Sequence, residues 1–167
     1  MHTYTLHRMN IQPTPYDHPD AVKLNDAVQA EYAVRYGDEG DATPLDAGMF
    51  VPPRGLYLLA YDPEGRPVAT GGWRTQNKNA EGYEDGDAEL KRMYVVPEAR
   101  GLGLARRILA ALESDARTAG RTRMVLETGI AQPEAIALYT SSGYAPCPKF
   151  GHYRTYPTSR CFAKPLT

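Results

Sequence analysis

Apolar positions along this chain switch between a period of two and a period of three to four, and the switches mark its elements. Tyr4, Leu6 and Arg8 alternate with Thr3, Thr5, His7 and Met9, which predicts a first strand over residues 3–9, stopped by Pro13 and Pro15. Pro19 opens a helix carrying Ala21, Leu24, Ala27, Val28 and Tyr32, which ends at Gly37. GLYLLAY over 55–61 and RPVATGGWRTQN over 66–77 read as a hairpin around Asp62-Pro63-Glu64-Gly65, its second strand bulged at Gly71-Gly72. A central strand is predicted over 87–96. Ala105, Ile108, Leu109, Leu112 and Ala116 then recur at helical steps, opposite a polar face of Arg106, Arg107, Glu113 and Arg117. RMVLETG over 123–129 is a fifth strand, parallel to the central one because a helix crosses between them. A helix starting near Pro133 and capped at Gly143, and a last strand over 160–166, complete an α/β chain of the α+β kind. The stretch from Asp38 to Arg54, rich in Gly, Pro and acid, is a long loop with room for one short helical turn, and a loop that long is disordered or functional.

With 167 residues, one domain over 1–167 is expected, large enough for its own core. No apolar run is long enough to span a bilayer and residues 1–10 lack a signal-peptide core, so the expectation is a cytoplasmic protein with no membrane partner. Cys147 and Cys161 have no metal-ligand spacing and no nearby base, so neither a metal site nor a thiol nucleophile is expected. The net charge of −1 hides an asymmetry: residues 1–90 hold seven Lys+Arg against fifteen Asp+Glu, and residues 91–167 hold twelve against five. The first half of the chain is thus acidic and the second basic. Nucleic acid is not an expected partner, since the basic residues do not interleave with aromatics.

The chemistry concentrates between the central strand and the helix after it. Arg100-Gly101-Leu102-Gly103-Leu104-Ala105 places two glycines at a strand-to-helix turn, where the backbone approaches a ligand and the free N–H groups of the first helical turn point outward as donors. That is a phosphate cradle. No Lys-Ser or Lys-Thr follows, which argues against a triphosphate P-loop, and GLGLAR in mid-chain lacks the G-x-G-x-x-G of a dinucleotide fold. Val95, Pro97, Arg100, Gly103 and Ala105 resemble the acetyl-CoA segment of the GNAT superfamily of N-acyltransferases, a strand ending in Val, then Pro, then R/Q-x-x-G-x-G/A. QPEAIALYTSSGY over 132–144 resembles the second GNAT signature at Ala135, Leu138, Tyr139, Gly143 and Tyr144, with Gln132 where Asn is commoner. FGHY over 150–153 and SRCFAK over 159–164 resemble the C-terminal segments of a bacterial GNAT subgroup.

That resemblance implies a mixed central sheet of six to seven strands, splayed in a V between the fourth and fifth and flanked by about four helices. It implies acetyl-CoA as co-substrate, its pyrophosphate on the backbone of Gly101 to Ala105 near Arg100 and Arg106. Its pantetheine would run along Met93, Tyr94 and Val95, with a backbone N–H there facing the thioester oxygen. Glu89 sits where several GNAT enzymes carry a catalytic glutamate, so it is the candidate base for the amine. Asp87 shares its strand face, and His152 is a further candidate. Tyr139 resembles the tyrosine that protonates the CoA sulfur. The long loop and the acidic half point to a small-molecule amine acceptor, attacked directly in a ternary complex, and the family's habit points to a homodimer. The alternatives are a protein amine as acceptor, and an acyl-CoA sensor without turnover.

Overall fold

A computed structural model describes residues 5–37 and 40–166. Seven strands form one mixed sheet: β1 (Asn10–Pro13), β2 (Gly55–Tyr61), β3 (Pro67–Gln76), β4 (Asp87–Val95), β5 (Arg123–Gly129), β6 (Ala145–Pro146) and β7 (Ser159–Pro165), in the spatial order β1-β2-β3-β4-β5-β7-β6. Only β4 and β5 run parallel, joined by a right-of-way through α2 (Leu104–Thr118). The other two α-helices are α1 (Pro19–Tyr36) and α3 (Pro133–Ser141). The short helical turn expected inside the long loop is the 3-10 turn Ala47–Phe50. The first strand is also displaced. Leu6–Arg8 forms a 3-10 turn and the strand begins at Asn10, with Pro13 inside it; an edge strand tolerates a residue that cannot donate. Thr3 and Tyr4, at the start of the predicted strand, lie outside the described residues.

The two faces of the sheet are covered separately. On one, Leu104, Ile108, Leu109, Leu112 and Ala116 of α2 bury against Leu58, Ala60, Val68, Trp73, Leu90, Met124 and Leu126. On the other, Ala21 and Leu24 of α1 meet Tyr57, Leu59 and Phe50. The start of α1 is fixed by its cap: the His18 ring accepts from the Asp20 N–H at 3.1 Å and Pro19 is already set for a helix. Gly37 ends it with a left-handed φ of 69°.

β4 and β5 pair at only three positions, Asp87 with Arg123, Ala88 with Met124 and Glu89 with Val125, and then part. Their joined end is clamped, because the buried Asp87 carboxylate accepts from Arg123 Nε at 2.8 Å and Nη2 at 2.9 Å. The register of β4 against β3 shifts just beyond, so that Arg92 and Met93 stand opposite Gly71 alone. The bulge therefore belongs to the central strand, and the Gly71-Gly72 pair faces it instead of forming it. A side chain at Gly72 would bring a Cβ within 2.6 Å of Tyr57 Cδ2 and 3.0 Å of two Phe50 ring atoms. Gly72→Ala is expected to lower unfolding free energy by about 1–3 kcal/mol through overpacking of those rings; an unchanged denaturant midpoint would show that they yield freely.

Candidate active site

Beyond Glu89 the separated strands leave an opening through the sheet. Arg92 sets its shape by adopting φ 60°, a left-handed conformation that costs a non-glycine residue about 1–3 kcal/mol and persists only where the surroundings enforce it. Two cavities meet there. One, of about 300 Å³, runs along Met93, Tyr94 and Val95 to Arg100, Gly101, Gly103, Ala105 and Arg106. The other, of about 130 Å³, lies on the α1 side among Lys91, Arg92, Glu127, Asp41 and five tyrosines, Tyr32, Tyr36, Tyr139, Tyr153 and Tyr156. Tyr32, Met93, Gln132, Ala135 and Tyr139 line both.

The first cavity ends in an anion cradle. Gly101 and Gly103 take φ 83° and 81° with open space around them, so the glycines serve the turn and not the packing. Gly103 caps α2 without a side chain, and the first intrahelical bond runs from Arg107 N–H to Gly103 O at 3.2 Å. The N–H groups of Leu104, Ala105 and Arg106 are thus left to point out of the helix at its positive end. Arg100 crosses the cradle, donating from Nε to Val95 O at 2.9 Å and from Nη2 to Glu31 at 3.0 Å. Arg106 donates to Ser141 and Ser142, tying α2 to the end of α3. Leu104 turns its side chain into the core and gives the cradle only its backbone; Leu102 also contributes no side chain to the lining.

In the second cavity two cations share one carboxylate. Asp41 Oδ2 accepts from Lys91 Nζ at 3.0 Å and from Arg92 Nη1 at 3.2 Å. Burial raises the Asp41 pKa, but Lys91 and Arg92 together outweigh it and hold the carboxyl well below its usual range. Gln29 pins the Asp41 backbone at both its N–H and its carbonyl. Glu127, on the adjacent strand, has no such compensation. Burial pushes its carboxyl up to about 7, against the pull of Lys91. Tyr139 is buried, its ring edge-on to Tyr144 at 5.8 Å, and burial raises its phenol far above 10.

A cradle at a helix N-terminus, a groove beside a bulged strand and a V in a mixed sheet together narrow the family, and residues 21–144 match the acetyltransferase (GNAT) family. The chain belongs to the GNAT family. Over 145 residues it is 33% identical to the Escherichia coli protein YjgM, an uncharacterized N-acetyltransferase, covering 83% of this chain and 80% of that one. An IAA acetyltransferase of Azospirillum brasilense is 46% identical over 83 residues, which span 50% of this chain and 54% of that relative. A Klebsiella pneumoniae crystal structure described as an acyl-CoA N-acyltransferase superposes with a TM-score of 0.79 at 31% identity, covering 95% of this chain and 98% of the other. The protein is accordingly a GNAT N-acetyltransferase, and members of this family use acetyl-CoA as co-substrate.

The acetyltransferase brings most of its predicted site residues together. Met93, Tyr94, Val95, Arg100, Gly101, Gly103, Ala105, Arg106, Gln132 and Tyr139 all line the longer cavity. Gln132, where Asn was commoner, donates from Nε2 to Tyr36 OH at 3.2 Å. Glu89 lines neither cavity, and its carboxylate accepts from Arg74 Nε at 2.7 Å, Gln76 Nε2 at 3.1 Å and Tyr83 OH at 2.7 Å. Those bonds engage three of its lone pairs. Asp87 is held by Arg123, and His152 stacks edge-on against Tyr153 outside the lining. Phe150 is buried against Tyr83, so of the tail aromatics it is Tyr153 and Tyr156 that wall the cavity. Burial pushes the Cys161 thiol up to about 11, which leaves no thiolate there to attack.

Glu127, Lys91, Arg92, Asp41 and Tyr32 were missed. The one available signal was an acid inside the apolar run MVLETG, since a strand otherwise buried rarely carries a carboxylate without a reason. Two stability outcomes follow. Glu89→Gln breaks a buried ion pair and should cost about 3 kcal/mol in denaturant unfolding. Glu127 behaves oppositely: its folded pKa of about 7 stands above an unfolded value of 4.5, so the folded form loses stability as pH rises through that interval. Glu127→Gln should therefore gain stability over the parent at pH 8, by at most about 3 kcal/mol, and show no gain at pH 4; equal unfolding midpoints at pH 8 would contradict the assignment.

Proposed function

We propose that this acetyltransferase moves an acetyl group from acetyl-CoA directly onto the amine of a small molecule, with both substrates bound. The observation that carries the reading is the meeting of the two cavities at Met93 and Tyr139, one ending in a cradle for phosphates and the other holding a carboxyl poised near 7. The residues suit the cofactor: the unused N–H groups of the first turn of α2 match a pyrophosphate, and the unpaired edge of β4 facing β5 can bond to amides of an extended arm. When bound, acetyl-CoA supplies an activated acyl carbonyl. The small second cavity and its tyrosine walls favour a compact amine over a protein side chain.

Glu127 takes the base role. It accepts a proton from the amine as the nitrogen bonds to the acyl carbon, and a pKa near the working pH suits a general base. Tyr139 acts on the leaving side. Burial makes full ionisation of its phenol costly, so its O–H donates a hydrogen bond to the sulfur as the carbon–sulfur bond breaks, and the thiolate takes its proton from solvent at the open end of the groove. Glu89 stays behind the base, its charge adding to the rise at Glu127.

The test is steady-state thiol release with a panel of small amines across pH 6 to 9. In the parent protein kcat/KM should rise with pH through about 7 as Glu127 loses its proton. In Glu127→Gln that limb should vanish with a fall of about 10²–10³, and in Glu89→Gln it should remain; a limb retained by Glu127→Gln would remove Glu127 from the base role. Tyr139→Phe keeps the packing and should lower kcat about 10- to 100-fold, with acetyl-CoA affinity little changed by calorimetry. Acetyl-CoA binding with no turnover of any amine would instead support a sensor.

A further inference from the structure

The second cavity is lined by a buried cation with a donor left unused. Arg92 is nine-tenths buried, with its side chain only 5% exposed, and it remains charged in any environment. Asp41 takes its Nη1, while Nε is buried with no hydrogen-bond partner among the described residues. Lys91, with a side chain 10% exposed, leans on the same Asp41 oxygen. Among the described residues both cations bond to the one Asp41 oxygen, and Arg92 Nε bonds to none. An unpaired N–H of a buried guanidinium is costly, and so is the strained backbone that turns this residue into the cavity. The backbone strain belongs to the bulge that opens the sheet, but the unpaired Nε has no return among the described contacts. A ligand that accepts from Arg92 would supply one.

Resting on the acetyl-transfer reading above, we propose that the acceptor is an amino acid or a close analogue, with its carboxylate seated on Arg92 and Lys91 while its amine faces Glu127. The arrangement of charge selects this class. With Glu127 ionised, as a base must be, two cations and two carboxylates balance, so a ligand carrying both charges fits, its carboxylate toward Arg92 and Lys91 and its amine toward Glu127, whereas a phosphate dianion would face both Asp41 and Glu127. A carboxylate also has the planar pair of oxygens that a guanidinium edge receives well. A simple alkylamine would bring a second cation beside Lys91 and Arg92 and leave Nε as it is. The amine and carboxylate must lie a few bonds apart, because Lys91 and Glu127 sit on one sheet face of neighbouring strands and the whole cavity measures about 130 Å³.

The experiment compares acids with their own amides. A panel of free amino acids is assayed for acetyl-CoA-dependent thiol release beside the matching carboxamides and decarboxylated amines, using the unaltered protein first. The best free acid should exceed its amide in kcat/KM by about 10- to 100-fold, the span of one charge-assisted bond. Arg92→Gln should reduce that preference to near one by lowering the acid alone, with acetyl-CoA affinity unchanged by calorimetry. Amides or simple amines used as well as the acids by the unaltered protein would overturn the carboxylate seat and leave the transferase reading standing. So would an Arg92→Gln protein that loses acids and amides equally. Acetyl-CoA binding without turnover of any of the three series would overturn both.

Discussion

The parting of β4 from β5 after three paired residues is the constraint on which the rest of this molecule depends. Parallel neighbours ordinarily pair along their length, since an unpaired buried backbone group costs about as much as a lost hydrogen bond. Here the strands are clamped at one end by Asp87 and Arg123 and levered apart by the bulge at Arg92 and Met93. The far side is held open as well. Arg35 of α1 pairs with Glu134 of α3 and donates to Ala131 O, and Glu31 of α1 pairs with Arg100 at the cradle. The opening is therefore a built feature with supports on both rims, and both cavities exist because of it.

Much of this could be read in the sequence, for reasons that separate what could from what could not. α1, α2, β2 and β5 announced themselves because each is local: a proline, a period and a glycine stop lie within one stretch of chain. The cradle was legible on the same ground. The bulge was misplaced because glycines mark where space is needed, and the strand that uses the space is the neighbour. Glu89 occupies the position where the resemblance puts a base, but its hydrogen bonds come from Arg74, Gln76 and Tyr83, two of them on the strand that pairs with it, which no local pattern announces. Glu127 escaped notice for the converse reason: only the parallel register and the loop carrying Asp41 bring it into company with Lys91.

The division into an acidic and a basic half takes on a different meaning in three dimensions. It had suggested an acidic trap for a cationic amine. Instead three acids of the first half pair with cations of the second, Asp41 with Lys91 and Arg92, Asp87 with Arg123 and Glu31 with Arg100. Charge asymmetry along this chain thus becomes pairing across the sheet, which fixes the loop to the strands and decides where the bulged strand is tolerated.

What pairing leaves over is where the chemistry falls. Glu89 and Glu127 stand on one face of adjacent strands, and the difference between them lies in their surroundings: three donors bond to Glu89, while Glu127 is desolvated without an equal partner. The fold gives up stability at neutral pH to keep Glu127 in that condition, and the same cost is what would make its carboxylate basic enough for the proposed role. Supplying Glu127 with an arginine of its own would strengthen the protein and silence the base. The strain at Arg92 follows the same logic, since a guanidinium fully satisfied by the protein would have nothing left to offer a ligand.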